Sequence, residues 1–201
     1  MKVIVIGGTG TIGDPVADAL AQAGHEVVRA ARSSGDVRVD ITDTASIEAL
    51  FRSVGRFDAL VSCAGSGAWK PLEQLTDDDF ETSLHNKLMG QVNLVRRGLA
   101  TVADGGSFTL TSGVLSQSPM PGSGAISLLN AGLEGFARAA ALEAPRGVRV
   151  NVVSPPWVSE TLQAMGQDPS GGMPAAEVAR AYVASVTGTM TGQVLDARSF
   201  R

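Results

Sequence analysis

Three glycines at a fixed interval follow the first apolar run of this chain. In MKVIVIGGTGTIG, Gly8, Gly10 and Gly13 satisfy the spacing G-x-G-x-x-G, while Gly7, Gly10 and Gly13 recur every third residue. Glycine lets a backbone turn tightly and approach a diphosphate, and a following helix offers that charge its free N–H groups and its positive end. Thr9, Thr11 and Ile12 complete the loop, and Pro15 suits a first helical turn, where its missing N–H has no intrahelical acceptor anyway. A glycine-rich turn without a ligand is the plainer reading, but the strand-like run before and the helical pattern after weigh against it.

The second apolar run ends in AARSSG. An acidic residue at this point would pair with ribose hydroxyls, yet Ala31 and Arg32 stand here instead. A guanidinium makes forked, charge-assisted bonds to a 2′-phosphate, and Ser33 and Ser34 add hydroxyl donors, so NADP(H) is expected over NAD(H). A solvated arginine on a turn is the alternative, and Arg29, inside the run, stays open between the two.

The elements that must position these groups follow from periodicity. Short β-branched runs (Lys2 to Gly7, Glu26 to Ala30, Val37 to Val39, Ala59 to Ser62, Ser107 to Thr111, Arg149 to Val153, Gln193 to Leu195) alternate with helical stripes. Val16, Ala19, Leu20 and Ala23 form one stripe closed by Gly24, and Ile47, Leu50, Phe51 and Val54 a second. Thr76 with Asp79 has capping-box-like spacing ahead of a long helix through Leu99, and another helix runs from Gly124 to about Glu143. The pattern predicts an α/β fold: a doubly wound, Rossmann-like parallel sheet of about seven strands with helices on both faces, its ligands at the carboxyl ends of the strands. At 201 residues one domain, 1–201, accommodates it, with a short lid-like loop at about 154–174 rich in Pro, Gly and Ser.

Composition narrows the function. A net charge of −4 gives no global attraction to nucleic acid or an anionic membrane, and no apolar run reaches bilayer-spanning length. The single Cys63 forms no intrachain disulfide, and the first residues lack a signal-peptide pattern, so a cytoplasmic location is expected. No His/Cys/carboxylate cluster has metal-ligand spacing.

Taken in order, these segments resemble the short-chain dehydrogenase/reductase family over nearly the whole chain. GGTGTIG looks like its cofactor loop, VDITD with Asp40 and Ile41 like its segment beside adenine, and SCAG (Cys63, Ala64, Gly65) like its Asn-Ala-Gly turn. LTSGVL places the family's catalytic serine on Ser112; NVVSPPW, with Pro155, Pro156 in place of glycine and Val158 just after, resembles the segment that meets the nicotinamide; TGQVLD resembles the last strand. The resemblance implies a nicotinamide cofactor, a small-molecule substrate and a homo-oligomer, dimer or tetramer, paired through the two long helices.

The departures are specific. Aligning NAGLEGF with the family's Lys-Ala-Ala-Leu-x-Gly-Leu pattern puts Asn130 at the active-site lysine and Ile126 at the tyrosine, while KLMG puts Lys87 at the active-site asparagine. The usual proton donor is a tyrosine whose pKa a lysine cation lowers; Ile126 supplies only packing, and an Asn130 amide hydrogen-bonds but is no general acid. Lys87 is open between an ordinary surface salt bridge and an ammonium near Asn130 that stabilises an oxyanion. Ser112 is expected to position substrate rather than act as a nucleophile, and Tyr182 to pack. His85 is read as solvated or packed, His25 as starting a strand far from the point where the winding of the sheet switches, and Cys63 as filler rather than a reactive thiol. Trp157, Met165 and Met173 either contact an apolar ligand or fill their own loop. Two functions remain: an NADP(H)-dependent oxidoreductase acting on a small carbonyl, alcohol or activated alkene, or a dinucleotide-binding regulatory or scaffold protein that has lost the chemistry.

Overall fold

The first apolar run, KVIVI, alternates its side chains between two interiors. Val3 and Val5 pack on one face of a sheet, Ile4 and Ile6 on the other, and all four are buried. A strand buried on both faces is apolar throughout rather than alternating, which marks the centre of a parallel sheet. The computed structural model, which describes residues 1–200, places this strand, β1 (Lys2–Ile6), between β2 (Glu26–Ala31) and β4 (Phe57–Ser62). With β3 (Val37–Arg38), β5 (Val102–Thr111), β6 (Arg149–Ser154) and β7 (Val194–Asp196), the order is β3-β2-β1-β4-β5-β6-β7, all parallel.

Helices cover both faces. On one side α2 (Thr44–Val54), α4 (Gly90–Gly98) and α5 (Gly124–Glu143) contribute Leu50, Leu94 and Leu133 to a core that includes Phe57 and Phe108. On the other, α1 (Gly13–Gln22) and α7 (Ala175–Thr187) pack together through Val16, Leu20, Val178 and Tyr182. The chain moves outward from β1 in one direction and from β4 in the other, and the crevice at the carboxyl ends of these two strands is where such folds place ligands.

Local signals set several boundaries. Gly24 takes φ +82° where α1 stops, a left-handed conformation open to glycine. Thr76 and Asp79 form a complete capping box at the start of α3 (Asp77–Ser83). The helix does not then run unbroken to Leu99: residues Leu84–Met89 form a π segment between α3 and α4, which changes the direction of the side chains it carries. β4 and β5 also begin earlier than their β-branched cores, at Phe57 and Val102, because the pairing reaches past a register shift between Phe57 and Ala59. The stretch expected as a loop at about 154–174 contains a short helix, α6 (Ser159–Ala164), and a 3₁₀ turn (Pro169–Gly171), tied by a bridge between Val158 and Met173. Among the described residues no helix is long and apolar enough to cross a membrane.

Candidate active site

The glycine loop connects β1 to α1 with no room to spare. A Cβ added to Gly13 would lie 2.0 Å from the Gly7 carbonyl oxygen, and one on Gly8 would lie 2.8 Å from that of Val5. Gly7 takes φ +74°, and a Cβ added to it would lie 3.1 Å from the Cys63 carbonyl just after β4. Helix α1 begins without a side-chain cap; the Asp14 N–H is taken by the Gly10 carbonyl and Pro15 has none, so the Gly13 N–H at the start of the helix is the first-turn donor left to an anion. Thr9 Oγ1 hydrogen-bonds Ser34 Oγ at 2.6 Å, fastening the loop to the end of β2. That tether comes from Ser34; Ser33 is an exposed neighbour, as is Thr11.

The two arginines of this region divide their work. Arg29 Nη1 donates to the Gly8 carbonyl oxygen at 2.7 Å and to Asp14 Oδ1 at 2.7 Å, and Nη2 donates to Asp18 Oδ1 at 2.6 Å. It braces the loop from behind and is fully engaged. Arg32 makes no ion pair within 4.0 Å among the described residues; it lines a cavity of about 290 Å³ with Gly7, Val39, Asp40, Ile41 and Asn86. Bonds from the Thr42 hydroxyl and N–H hold the Asp40 carboxyl below its ordinary range, and Arg32 acts in the same direction. Asn86, which sequence reasoning missed, accepts the Ser66 N–H at 3.0 Å and closes this cavity from the π segment.

A second cavity, about 350 Å³, shares Ala64 and Gly65 with the first. The two form one cleft in two parts. The residue after Asn86 points into the second: Lys87 Nζ donates to Asn130 Oδ1 at 2.7 Å and to the Ser112 carbonyl oxygen at 3.2 Å. Three elements meet here, since Lys87 comes from the π segment, Ser112 follows β5 and Asn130 lies on α5. Lys87 therefore makes no surface salt bridge. Burial pushes its ammonium down to about 8, with no carboxylate to offset the loss of water. Asn130 Nδ2 donates to the Gly113 carbonyl oxygen at 3.3 Å, which fixes the amide with its oxygen toward Lys87.

One turn beyond Asn130 stands Glu134, also missed. Its Oε1 accepts Ser112 Oγ at 3.1 Å and Ser116 Oγ at 2.6 Å, while Arg138 lies 3.7 Å from Oε2. Ile126, Asn130 and Glu134 are four residues apart, one face of α5, and that spacing was the available signal.

The rest of the second cavity is mostly apolar. Ile126, Val114, Leu115, Pro155, Pro156 and Met165 line it, with Trp69 and Trp157 edge to face at 5.6 Å between ring centroids. Pro155 also accepts the Val114 N–H through its carbonyl at 3.1 Å, fixing the turn before the tryptophan. Of the two methionines, Met165 faces the cavity whereas Met173 is buried under α6 beside Val158. Ile12 brings the glycine loop to the same cavity wall.

The remaining candidates lie elsewhere in chemistry. Tyr182, the chain's single tyrosine, is wholly buried with its hydroxyl 2.7 Å from Thr111 Oγ1. Burial pushes the Cys63 thiol up to about 12, so it stays protonated and unreactive at neutral pH. His85 Nε2 is held at 2.8 Å by the Thr42 carbonyl, and His25 lies at the start of β2. No cluster that can hold a metal ion occurs among the described residues.

Comparison with known proteins identifies the family and fold. Residues 8–191 match the family described as enoyl-(acyl carrier protein) reductase. A hydroxynaphthalene reductase of Aspergillus fumigatus is 30% identical over 151 residues, 71% of this chain and 55% of that protein. The chain spans about half to two thirds of the length of such curated relatives (55%, 65% and 47%). Among solved structures, the protein lin1944 from Listeria innocua is 40% identical with a TM-score of 0.93, covering 98% of both chains. A small-chain dehydrogenase solved in complex with NADPH is 28% identical with a TM-score of 0.86, covering 98% of this chain and 95% of that one.

Proposed function

This chain belongs to the short-chain dehydrogenase/reductase family, and we propose that it is an NADP(H)-dependent oxidoreductase acting on a small, largely apolar carbonyl, alcohol or activated alkene. The observation that carries the proposal is the 2.7 Å contact between Lys87 Nζ and Asn130 Oδ1 inside the second cavity. The family resemblance implies an asparagine on the helix of Lys87 and a lysine on α5. Here the two residue types are exchanged, and because their side chains meet, the cation reaches the same junction from the opposite helix.

The residues fit a phosphorylated dinucleotide. The glycine loop cannot accept a Cβ at Gly13, α1 starts without a side-chain cap, and among the described residues Arg32 makes no ion pair while Arg29 makes two. Gly7, Gly8, Thr9, Gly10, Thr11, Ile12 and Gly13 would hold the diphosphate, Arg32 with Ser33 the 2′-phosphate, Asp40 and Ile41 the adenine side, and Cys63, Ala64, Gly65, Pro155 and Val158 the nicotinamide side. The NADPH complex of a 28% identical relative supports the same choice. Bound reduced nicotinamide supplies hydride to a carbonyl carbon.

Lys87 serves the oxygen. An ammonium has three N–H donors; two go to Asn130 and to the Ser112 carbonyl, which leaves one for the substrate. As the carbon gains hydride the oxygen becomes anionic, Lys87 stabilises it and passes a proton to it, and solvent then restores the ammonium. A group poised near 8 is charged at neutral pH and close enough in strength to an alkoxide-forming step to give its proton readily. Exposed Leu128 and Leu142 on α5 suit the homo-oligomer that the resemblance implies.

The test is NADPH oxidation by purified protein across a panel of apolar ketones, aldehydes and enones. Stereospecific oxidation with at least one acceptor is expected. Tight NADPH binding with no turnover on any acceptor would overturn the proposal in favour of a dinucleotide-binding regulatory protein.

A further inference from the structure

Ser112 lines the second cavity with its hydroxyl proton already committed. Its Oγ donates to Glu134 Oε1 at 3.1 Å, and the same carboxylate oxygen accepts Ser116 Oγ at 2.6 Å. Glu134 is only 5% exposed, so it depends on these two hydroxyls, and on Arg138 3.7 Å away, for what water would otherwise provide. If Ser112 turned its proton into the cavity, a buried carboxylate would lose one of its donors.

A serine hydroxyl has one proton and two lone pairs. With the proton held by Glu134, Ser112 can only accept from a ligand. Lys87 can only donate. The polar part of the cavity thus includes a cationic donor and a neutral acceptor, joined because the Lys87 ammonium also bonds the carbonyl oxygen of Ser112 at 3.2 Å. Of the other polar lining residues, Asn130 is held by Lys87 and Gly113, Thr111 by Ser62 and Tyr182, and Thr161 lies on α6.

We propose that this site selects carbonyl compounds carrying a hydroxyl close to the reacting carbonyl, the carbonyl oxygen meeting Lys87 Nζ and the hydroxyl donating to Ser112 Oγ, with Glu134 as the positioning residue that fixes which way Ser112 bonds. The proposal rests on the oxidoreductase reading above and narrows its substrate class. A ligand without the hydroxyl leaves the Ser112 lone pair facing carbon, and sites built around a substrate hydroxyl reject analogues that lack it.

The test compares matched pairs, α- and β-hydroxy ketones against their parent ketones, in two readouts. NADPH oxidation gives the ratio of kcat/KM within each pair, expected to favour the hydroxylated member by roughly 10- to 100-fold, the cost of leaving one buried acceptor unpaired. The chain's two tryptophans, Trp69 and Trp157, both line the cavity, so quenching of their fluorescence in the presence of NADP⁺ gives the same ratio for binding without turnover. Glu134→Gln replaces the carboxylate with an amide whose N–H can donate to Ser112, freeing the hydroxyl proton to face the cavity; the preference should collapse to within about 3-fold. Ser112→Ala should abolish it too, which covers the case of an unfolded Glu134→Gln. Equal quenching by both members of every pair, or a preference that survives Ser112→Ala, would overturn the inference. Turnover of both members at equal rates would sink it while leaving the oxidoreductase reading intact; a binding preference without any turnover would do the reverse.

Discussion

Around Gly7 to Gly13 the cleft wall is main chain: glycines packed against carbonyl oxygens, and the uncapped start of α1. Around Lys87 it is side chain, brought from the π segment, the end of β5 and the middle of α5 across sequence separations of 25 and 43 residues. On the proposed function the first end meets a charge that every phosphorylated dinucleotide carries, and one conformation satisfies it. The second must hold an ammonium out of water with no carboxylate beside it, which costs stability and makes the group reactive. In the proposed function one end binds and the other reacts, and each should then be open to disturbance with the other left in place.

The largest expected effect is at the reacting end. Lys87→Met keeps the length of the side chain and removes its charge, and kcat/KM should fall by roughly 100- to 10,000-fold, the range for loss of a general acid. NADPH affinity, measured by calorimetry, should change by less than about 10-fold. A matching loss of both would show that the two ends are a single unit and that the comparison is false.

The reciprocal change is smaller. Arg32→Ala removes a guanidinium that no carboxylate occupies, and hydrogen bonds to a charged group are worth about 1.5–3 kcal/mol, so NADPH binding should weaken by roughly 10- to 100-fold. NADH binding and turnover at saturating cofactor should stay near wild type. Equal weakening of both nucleotides would mean that Arg32 meets a phosphate common to them, and the preference for NADP(H) would be lost.

The same division explains what could be read in advance. The glycine loop, the arginine after β2, the strand segments and the capping box at Thr76 are written in short segments, because backbone conformation and strand patterning are local, whereas the order of the strands in the sheet comes from the fold. Arg29 could not be resolved from the chain alone, since its partners Asp14 and Asp18 lie on α1 and pair with it only once β2 sits beside β1. The π segment was invisible for a different reason: its residues suit an ordinary helix, and the shift in register appears only when Asn86 and Lys87 must serve adjacent cavities. Reading the chain against its family put Lys87 and Asn130 at two active-site positions and left Lys87 open between a surface salt bridge and an ammonium near Asn130; the 2.7 Å contact favours the second. An alignment of residue types gives no distance, and it is the folded chain that brings Lys87 Nζ to 2.7 Å from Asn130 Oδ1. Glu134 escaped notice because a glutamate in an Ala-rich helix looks solvated until its face is known.

The smallest effect is also the most direct test of what distinguishes the reacting end. The Lys87 ammonium sits at about 8 in the folded protein against 10.5 for an unhindered lysine, and Asn130 on α5, Ser112 after β5 and Gly65 after β4 surround it without an acidic group. Between those two values the unfolded chain holds more protons than the folded one, so this group makes stability rise with pH across that window. Below about 8 the folded state carries the full penalty of burying the charge; above 10.5 it carries none. Other groups oppose the trend, because Cys63 and Tyr182 are held protonated in the core and lose stability as the pH rises past their ordinary values. Subtracting the denaturation curve of Lys87→Met from that of the wild type removes those common contributions. The difference should shift in favour of the wild type by about 1–3 kcal/mol between pH 8 and 10.5, less than the full displacement implies because the ammonium borders an open cavity. A flat difference would mean that Lys87 is as well solvated as a surface lysine, and the reacting end would then differ from the binding end in residue type alone, not in stored electrostatic cost.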